Sequence, residues 1–160
     1  MFVYSVRAST LRFALVIALL MGLLITMIAL GNEQSVAVFK DGESYRFTGV
    51  KDEEDRKTFL SQFGIEVKGE AMSEESFTMP KSLDRVLLGY NEIQKRQGLE
   101  LSKYQGKRVT RYTYEVANGD YEGTVLVNLI VCRGRVIAAD VSSGDPDSFV
   151  LPLTEFAPKE

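Results

Sequence analysis

Hydrophobic and polar positions change character sharply near residue 31. Residues 13–30 form an unbroken run of 18 uncharged, mostly aliphatic residues, and apolar and polar positions alternate after it. At about 1.5 Å rise per residue, such a run makes a helix of roughly 27 Å, close to the thickness of the hydrocarbon core of a bilayer. The pattern predicts a transmembrane helix at about 13–30, with this segment in contact with membrane lipid.

The charges on either side of the run indicate its orientation. Arg7 and Arg12 precede it, and the first charge after it is Glu33. Because basic residues stay on the cytoplasmic side, we expect a single-pass protein with a cytoplasmic N-terminus and an extracytoplasmic C-terminal domain.

A cleaved signal peptide is the alternative. Ala29 and Gly31 are small residues at the spacing that signal peptidase accepts, so cleavage following Gly31 would release a secreted protein. The run is longer than the usual apolar region of a signal peptide, about 7 to 15 residues. This favours an uncleaved signal anchor over residues 1–31.

Beyond the run, two segments have the spacing of apolar residues that is typical of half-buried helices. The first begins at Asp52, a good N-cap, and ends before Gly64; the second begins at Ser82 and ends at Gly98. The apolar positions of the second are Leu83, Val86, Leu87, Tyr90 and Ile93.

Three later segments have strand character, at 107–116, 124–132 and 135–141. Turn residues separate them, so neighbouring strands should pair antiparallel as a meander. The predicted fold class is α+β: an N-terminal transmembrane helix, then one small domain with two helices packed on an antiparallel sheet that ends in a three-stranded meander. The predicted divisions are the anchor at 1–31, a linker and short β-hairpin at 32–50, the α+β domain at 51–143 and an irregular C-terminal tail at 144–160.

Composition excludes several classes of function. Residues 32–160 contain 22 acidic and 17 basic side chains, a net charge of −5, which is wrong for a nucleic-acid binder. The chain has no histidine, which removes histidine-dependent nucleophilic catalysis and histidine-ligated zinc. Acids in the first turn of a helix are expected from the helix dipole alone. We therefore predict no catalytic residue, no metal ligand and no cofactor.

The basic residues are concentrated in one part of the chain. Residues 101–135 carry a net charge of +3, while the segments 32–100 and 136–160 are each −4. Such a surface could meet anionic lipid headgroups, a polyanionic wall polymer or an acidic partner, unless its cations pair with acids of the same domain. Alternation along the first meander strand also brings two tyrosines to one face. The candidate partner-binding residues are Lys107, Arg108, Arg111, Tyr112 and Tyr114.

Three blocks of residues carry a resemblance to a known family. They comprise Arg56, Phe59-Leu60 and Phe63-Gly64; then Tyr90-Asn91, Ile93-Gln94, Gln97-Gly98 and Leu101; then Tyr104, Gly106-Lys107, Val109 and residues 111–116. Over roughly residues 55–142 and the preceding anchor, the chain resembles short membrane-anchored proteins of Gram-positive anaerobes, known as domain of unknown function 4830. The resemblance implies no activity. A looser, architectural similarity is to secreted PepSY-like modules, in which a helix precedes an antiparallel meander and which are thought to modulate proteases.

These observations favour a non-catalytic, membrane-tethered extracytoplasmic domain that binds a protein or an envelope partner. One alternative is an envelope hydrolase that uses paired carboxylates, because that chemistry needs no histidine. Another is a PepSY-like modulator of extracytoplasmic proteases. The oligomeric state does not follow from the sequence.

Overall fold

The computed structural model describes residues 17, 19–21, 36–38, 44–119, 121, 123–144 and 149–159. The chain divides into two compact units, Met1–Gln34 and Ser35–Glu160. In the first unit, the described residues 17 and 19–21 are helical. The second unit contains a sheet, two α-helices and the candidate site.

Within the described ranges, no helix is both long enough and apolar enough to cross a membrane. The two α-helices of the second unit contain 9 and 12 residues, whereas a spanning helix needs about 20. The predicted fold class, with its transmembrane helix at 13–30, is therefore wrong, although the second unit is α+β in general. Apart from residues 17 and 19–21, that predicted segment and its predicted lipid contact lie outside the described residues.

A five-stranded antiparallel sheet forms the centre of the second unit. Its five strands follow one another across the sheet in chain order. The predicted meander is the middle of this sheet rather than its end, since one strand precedes it and another follows. The strands are β3 (Ser73–Thr78), β4 (Arg108–Glu115), β5 (Val125–Cys132), β6 (Arg135–Ser143) and β7 (Val150–Leu151), and a separate hairpin pairs β1 (Val36–Val38) with β2 (Ser44–Arg46).

The strand register gives the sheet two different faces. Tyr114 of β4 lies beside Val127 of β5, which lies beside Val141 of β6, and we call the side that carries these residues the first face. Asn128 and Asp140 occupy the next row and point to the opposite side, the second face. Each face carries its own cluster of buried apolar residues.

Helix α1 (Glu53–Ser61) covers the first face. It begins with a capping box in which Asp52 accepts a hydrogen bond from the backbone N–H of Asp55, and the Asp55 side chain accepts one from that of Asp52. Phe59 and Leu60 are buried against the sheet. The ring of Phe59 meets that of Phe63 edge to face, at 5.4 Å between centroids, so the helix is attached through an aromatic cluster.

Helix α2 (Arg85–Arg96) is attached by polar side chains. Its N-cap is Asp84 rather than the predicted Ser82, and the apolar residues Val86 and Leu88 are exposed by 78% and 50%. The residues of α2 that are buried are Asn91 and Gln94, with Gln97 buried just after the helix.

Two glutamines join the end of α2 to the sheet backbone. Gln94 accepts a hydrogen bond from the N–H of Ala139 in β6 at 2.8 Å, and Gln97 donates to the carbonyl of Ala139 at 2.5 Å. Gln97 also accepts from the N–H of Leu153 at 2.9 Å. The edge of β6 pairs with β7 at Val141 and Ser142, and the N–H of Val136 donates to the carbonyl of Phe47 at 2.8 Å. The two amides satisfy the backbone of Ala139, which lies between these stretches.

The C-terminal segment is more ordered than the predicted irregular tail. Residues Val150–Leu151 form β7, and a short 3₁₀ helix follows at Leu153–Glu155. Leu153 and Phe156 are buried in the cluster on the first face. The segment therefore completes the core.

We expect Gln97→Leu to destabilise the domain by about 2–5 kcal/mol, because each of the two buried backbone groups left without a partner costs about 1–3 kcal/mol. Urea denaturation measures the loss. Gln105→Leu is the matched control, since Gln105 is exposed. A change below about 0.5 kcal/mol, the usual scatter of surface substitutions, would show that these amides do not hold the helix.

Candidate functional site

One end of the sheet collects basic side chains. Lys107 and Arg108 lie where β4 begins, and Arg133 and Arg135 lie at the turn from β5 to β6. These positions are neighbours because the end of β5 pairs with both strands, and the Cys132 thiol donates to the carbonyl of Arg108 at 3.6 Å. The meander thus unites cations that are 25 residues apart in sequence.

Two loops add further lysines at the same end. Lys51 packs over Gly134, with its Cγ 3.4 Å from the point where a Cβ of that glycine would lie, and Lys81 packs over Gly106 at 3.9 Å by the same measure. The N–H of Val50 donates to the Gly134 carbonyl at 2.9 Å, which holds Lys51 beside the turn. We call this group the basic end: Lys51, Lys81, Lys107, Arg108, Arg133 and Arg135.

One cation of the basic end has an acid nearby, since the backbone N–H and the charge of Lys51 both lower the pKa of Asp55. Five of its six side chains are exposed and Arg135 is half-buried, and none of them forms an ion pair with a residue that the structure describes. Two other cations of the basic segment do pair: Lys103 with Glu100 at 3.0 Å, and Arg111 with Glu75 at 2.6 Å. The positive charge therefore remains at the end of the sheet, whereas Lys103 and Arg111 are paired with acids elsewhere.

The candidate residues from the sequence are divided by the structure. Lys107 and Arg108 belong to the basic end. Arg111 lies on the second face, whereas Tyr112 and Tyr114 lie on the first face, so the five do not form one surface. Their role in partner binding stays a prediction.

Tyr112 and Tyr114 hold helix α1 on the sheet. The Nε of Arg56 donates to the Tyr114 hydroxyl at 2.7 Å, and that hydroxyl donates to Glu53 at 3.0 Å. The Arg56 guanidinium lies over the Tyr112 ring at 3.8 Å and pairs with Glu53 at 2.9 Å. Burial is the largest effect on Tyr114 and raises its pKa to about 12. Both tyrosines are therefore part of the packing.

A row of polar side chains crosses the second face, and sequence reasoning did not find it. Tyr90 donates to Asp140 at 2.6 Å, Asn128 donates to the other oxygen of Asp140 at 2.9 Å, and Thr113 donates to Asn128 at 2.8 Å. Burial raises the pKa of Asp140 despite these hydrogen bonds. The one signal in the sequence is Asn128, a lone polar residue in an otherwise apolar strand.

The row is a hydrogen-bonded set of side chains around one carboxylate, Asp140. Burial raises the pKa of Asp140, whereas Tyr90, Asn128 and Arg111 lower it. None of these three residues is a carboxylate. Among the described residues, no group of three or more histidine, cysteine or acidic side chains could hold a metal ion.

The fold and its surface define a small α+β domain whose helices are fixed by buried polar contacts and whose sheet ends in a basic surface. The chain belongs to the family named Domain of unknown function (DUF4830), whose model matches residues 59–141. That stretch runs from within α1 to within β6 and contains five of the six cations of the basic end. No curated protein and no solved structure gives a significant match to the chain.

The Tyr114 contact predicts a pH dependence. The hydroxyl has a pKa of about 12 in the folded state against 10.0 for a free tyrosine, so the unfolded chain loses this proton first. The stability it contributes is present below pH 10 and is lost as the pH rises towards 12. We expect Tyr114→Phe to lower the free energy of unfolding at pH 7 by about 1–3 kcal/mol. Between pH 10 and 12 the variant should lose less stability than the wild type, because it lacks the hydroxyl that titrates there.

Urea denaturation at a series of pH values measures both effects. Tyr121→Phe is the control, because Tyr121 is 41% exposed. A Tyr114→Phe variant that followed the wild-type pH dependence would contradict the assignment of the raised pKa to Tyr114.

Proposed function

We propose that this protein is a non-catalytic domain that binds an acidic protein or an anionic envelope polymer through the basic end. The observation that carries the proposal is six cations, gathered from four parts of the chain, without ion pairs to the described residues. Residues 32–160 are net negative, so this positive surface is local and is not a result of overall composition.

The physics of exposed charges indicates the kind of contact. A single exposed ion pair contributes about 0–1 kcal/mol, so one cation would not select a partner. Several cations at one end of a sheet act together and attract an anionic partner over about a Debye length, roughly 8 Å at physiological salt. We therefore expect binding that depends on charge density and weakens as salt rises.

The described residues give the hydrolase alternative no support. Paired-carboxylate hydrolysis needs two carboxyl groups roughly 5–10 Å apart in a cleft, one of them with a raised pKa. Asp140 has the raised pKa, but its partners are Tyr90 and Asn128. Asp55 lines a groove, but hydrogen bonds from the backbone N–H groups of Lys51 and Asp52 lower its pKa.

The location of the domain stays a prediction. An envelope partner requires the domain to lie outside the cytoplasm, and a signal peptide with cleavage following Gly31, the alternative considered above, would export it. Accessibility of the domain to protease in intact cells measures this independently of any partner.

Reversing charge at the basic end should weaken polyanion binding. We expect the double variant Arg108→Glu/Arg133→Glu of the full-length chain to lose about tenfold or more in affinity, because two attractions become repulsions of about 0.2–1 kcal/mol each. Elution from immobilised polyglutamate and from immobilised polyphosphate, as a function of salt, measures the loss. Stronger retention on polyglutamate would indicate an acidic protein, and stronger retention on polyphosphate an envelope polymer.

The matched control is Lys68→Glu/Lys95→Glu. It makes the same change in net charge at two exposed lysines outside the basic end, each paired with an acid in the native domain. If the control variant lost as much affinity as the Arg108/Arg133 variant, net charge rather than the basic end would explain binding, and the proposal would fail.

A further inference from the structure

Strand β3 is an open edge of the five-stranded sheet. It is the first strand across the sheet and pairs with β4 alone among the residues that the structure describes. Every residue of β3 except the half-buried Phe77 is exposed. The register with β4 advances one residue at a time from Ser73 to Thr78, so the outer side of the strand presents a regular row of backbone groups.

The hydrogen bonds at the end of β3 show which of its backbone groups face outward. The N–H of Met79, directly after the strand, donates to the carbonyl of Lys107 at 2.9 Å. Because the backbone groups of an antiparallel strand alternate in direction, Thr78, Ser76 and Glu74 direct their N–H and C=O groups away from β4. These three residues can therefore form hydrogen bonds with a further strand.

The charge at this edge changes sign along the strand. Glu74 and Glu75 lie in the first half of β3. At its other end, Thr78 has Arg108 as its neighbour on β4. Glu75 pairs with Arg111, but Glu74 forms no ion pair with a residue that the structure describes. An edge that is acidic at one end and basic at the other is complementary to a second copy of itself that runs antiparallel.

We propose that two copies of the chain pair through β3, antiparallel about a two-fold axis at Ser76, so that their five-stranded sheets become continuous. In this register Ser76 lies opposite Ser76 of the second copy, and Glu74 lies opposite Thr78 of the second copy. The outward groups of the three residues then form about six hydrogen bonds between the copies. Each copy supplies the same surface, as a two-fold interface requires.

Charge and backbone chemistry select this register among the two-fold axes centred on residues 74–77. An axis at Glu74 or Glu75 would place that acid opposite its own copy, and like charges directly opposite are destabilising. An axis at Phe77 would place Glu74 opposite Pro80, which has no N–H to donate. With the axis at Ser76, no acid lies opposite an acid.

The side chains of the paired strands fit the same register. On the first face, Glu74 of one copy shares a row with Thr78 and Arg108 of the other, about 10 Å from the arginine between Cα atoms. Thr78 is short, so the two longer side chains can meet across it. Within one chain, Glu74 and Arg108 are about 13 Å apart along the strands. Ser76 and Thr110, whose hydroxyl oxygens are 2.9 Å apart, leave the axis free of bulky groups.

Proline at the axis tests the pairing. Ser76→Pro removes the outward N–H and retains the bonds to β4, because proline is tolerated in an edge strand where its N–H would face outward. Ser76→Ala is the matched control, since it loses the same hydroxyl contact and keeps the N–H. In sedimentation equilibrium of the full-length chain, we expect the wild type and Ser76→Ala to dimerise alike. Ser76→Pro should dimerise about tenfold or more weakly, because two hydrogen bonds at the axis are lost.

Two results would overturn the proposal. One is equal dimerisation of Ser76→Pro and Ser76→Ala. The other is a wild type that stays monomeric up to about 1 mM, which would leave the edge to a strand of another protein. Ser76 lies outside the basic end, so neither result bears on polyanion binding there.

A charge exchange tests the register without a change to the backbone. Glu74→Arg and Arg108→Glu should each weaken dimerisation about threefold or more, because each places like charges in one row. The double variant Glu74→Arg/Arg108→Glu should recover most of the loss, since opposite charges meet again between the copies. Losses that simply add in the double variant would overturn the register at Ser76.

Discussion

The central strands are buried on both faces, and two short helices must cover them. Helices of 9 and 12 residues have little apolar surface, and α2 leaves part of its own exposed. Buried polar side chains therefore add to the apolar packing of the helices: Gln94 and Gln97 bind the backbone of β6, and Arg56 binds Tyr114 of β4. A buried polar group that is left unpaired costs free energy. Each of these side chains therefore restricts its helix to the few positions in which its hydrogen bonds form.

The ion pairs of the helices lie away from the basic end. Acids near the helices are already engaged: Glu53 with Arg56, Glu92 with Lys95, and Asp55 in the cap of α1. The cations of the basic end lie at the start of β4, at the β5–β6 turn and in two loops, where none of these acids pairs with them. Among the described residues, the positive charge of these six side chains is therefore not neutralised by ion pairs.

Sequence reasoning found elements with local signals and missed contacts between distant residues. The apolar spacing predicted α2, yet it assigned Val86 to the buried face, and Val86 is 78% exposed. The partners that bury Gln94 and Gln97 are 42 to 56 residues away, so no local period reveals them. The apolar run at 13–30 gave the predicted transmembrane helix, which the described residues do not contain.

The candidate site likewise depends on contacts between residues that are distant in sequence. The excess of cations at 101–135 was visible in the sequence, but the register of β4 decides which of them act together. Arg108 and Arg111 are three residues apart on a strand, so their side chains point to opposite faces, and Arg111 is neutralised by Glu75 of the neighbouring strand. Lys51 and Lys81 join Arg108 because their loops fold over glycines at that end of the sheet. Strand parity and loop packing, rather than the number of basic residues, determine the surface that a partner would meet.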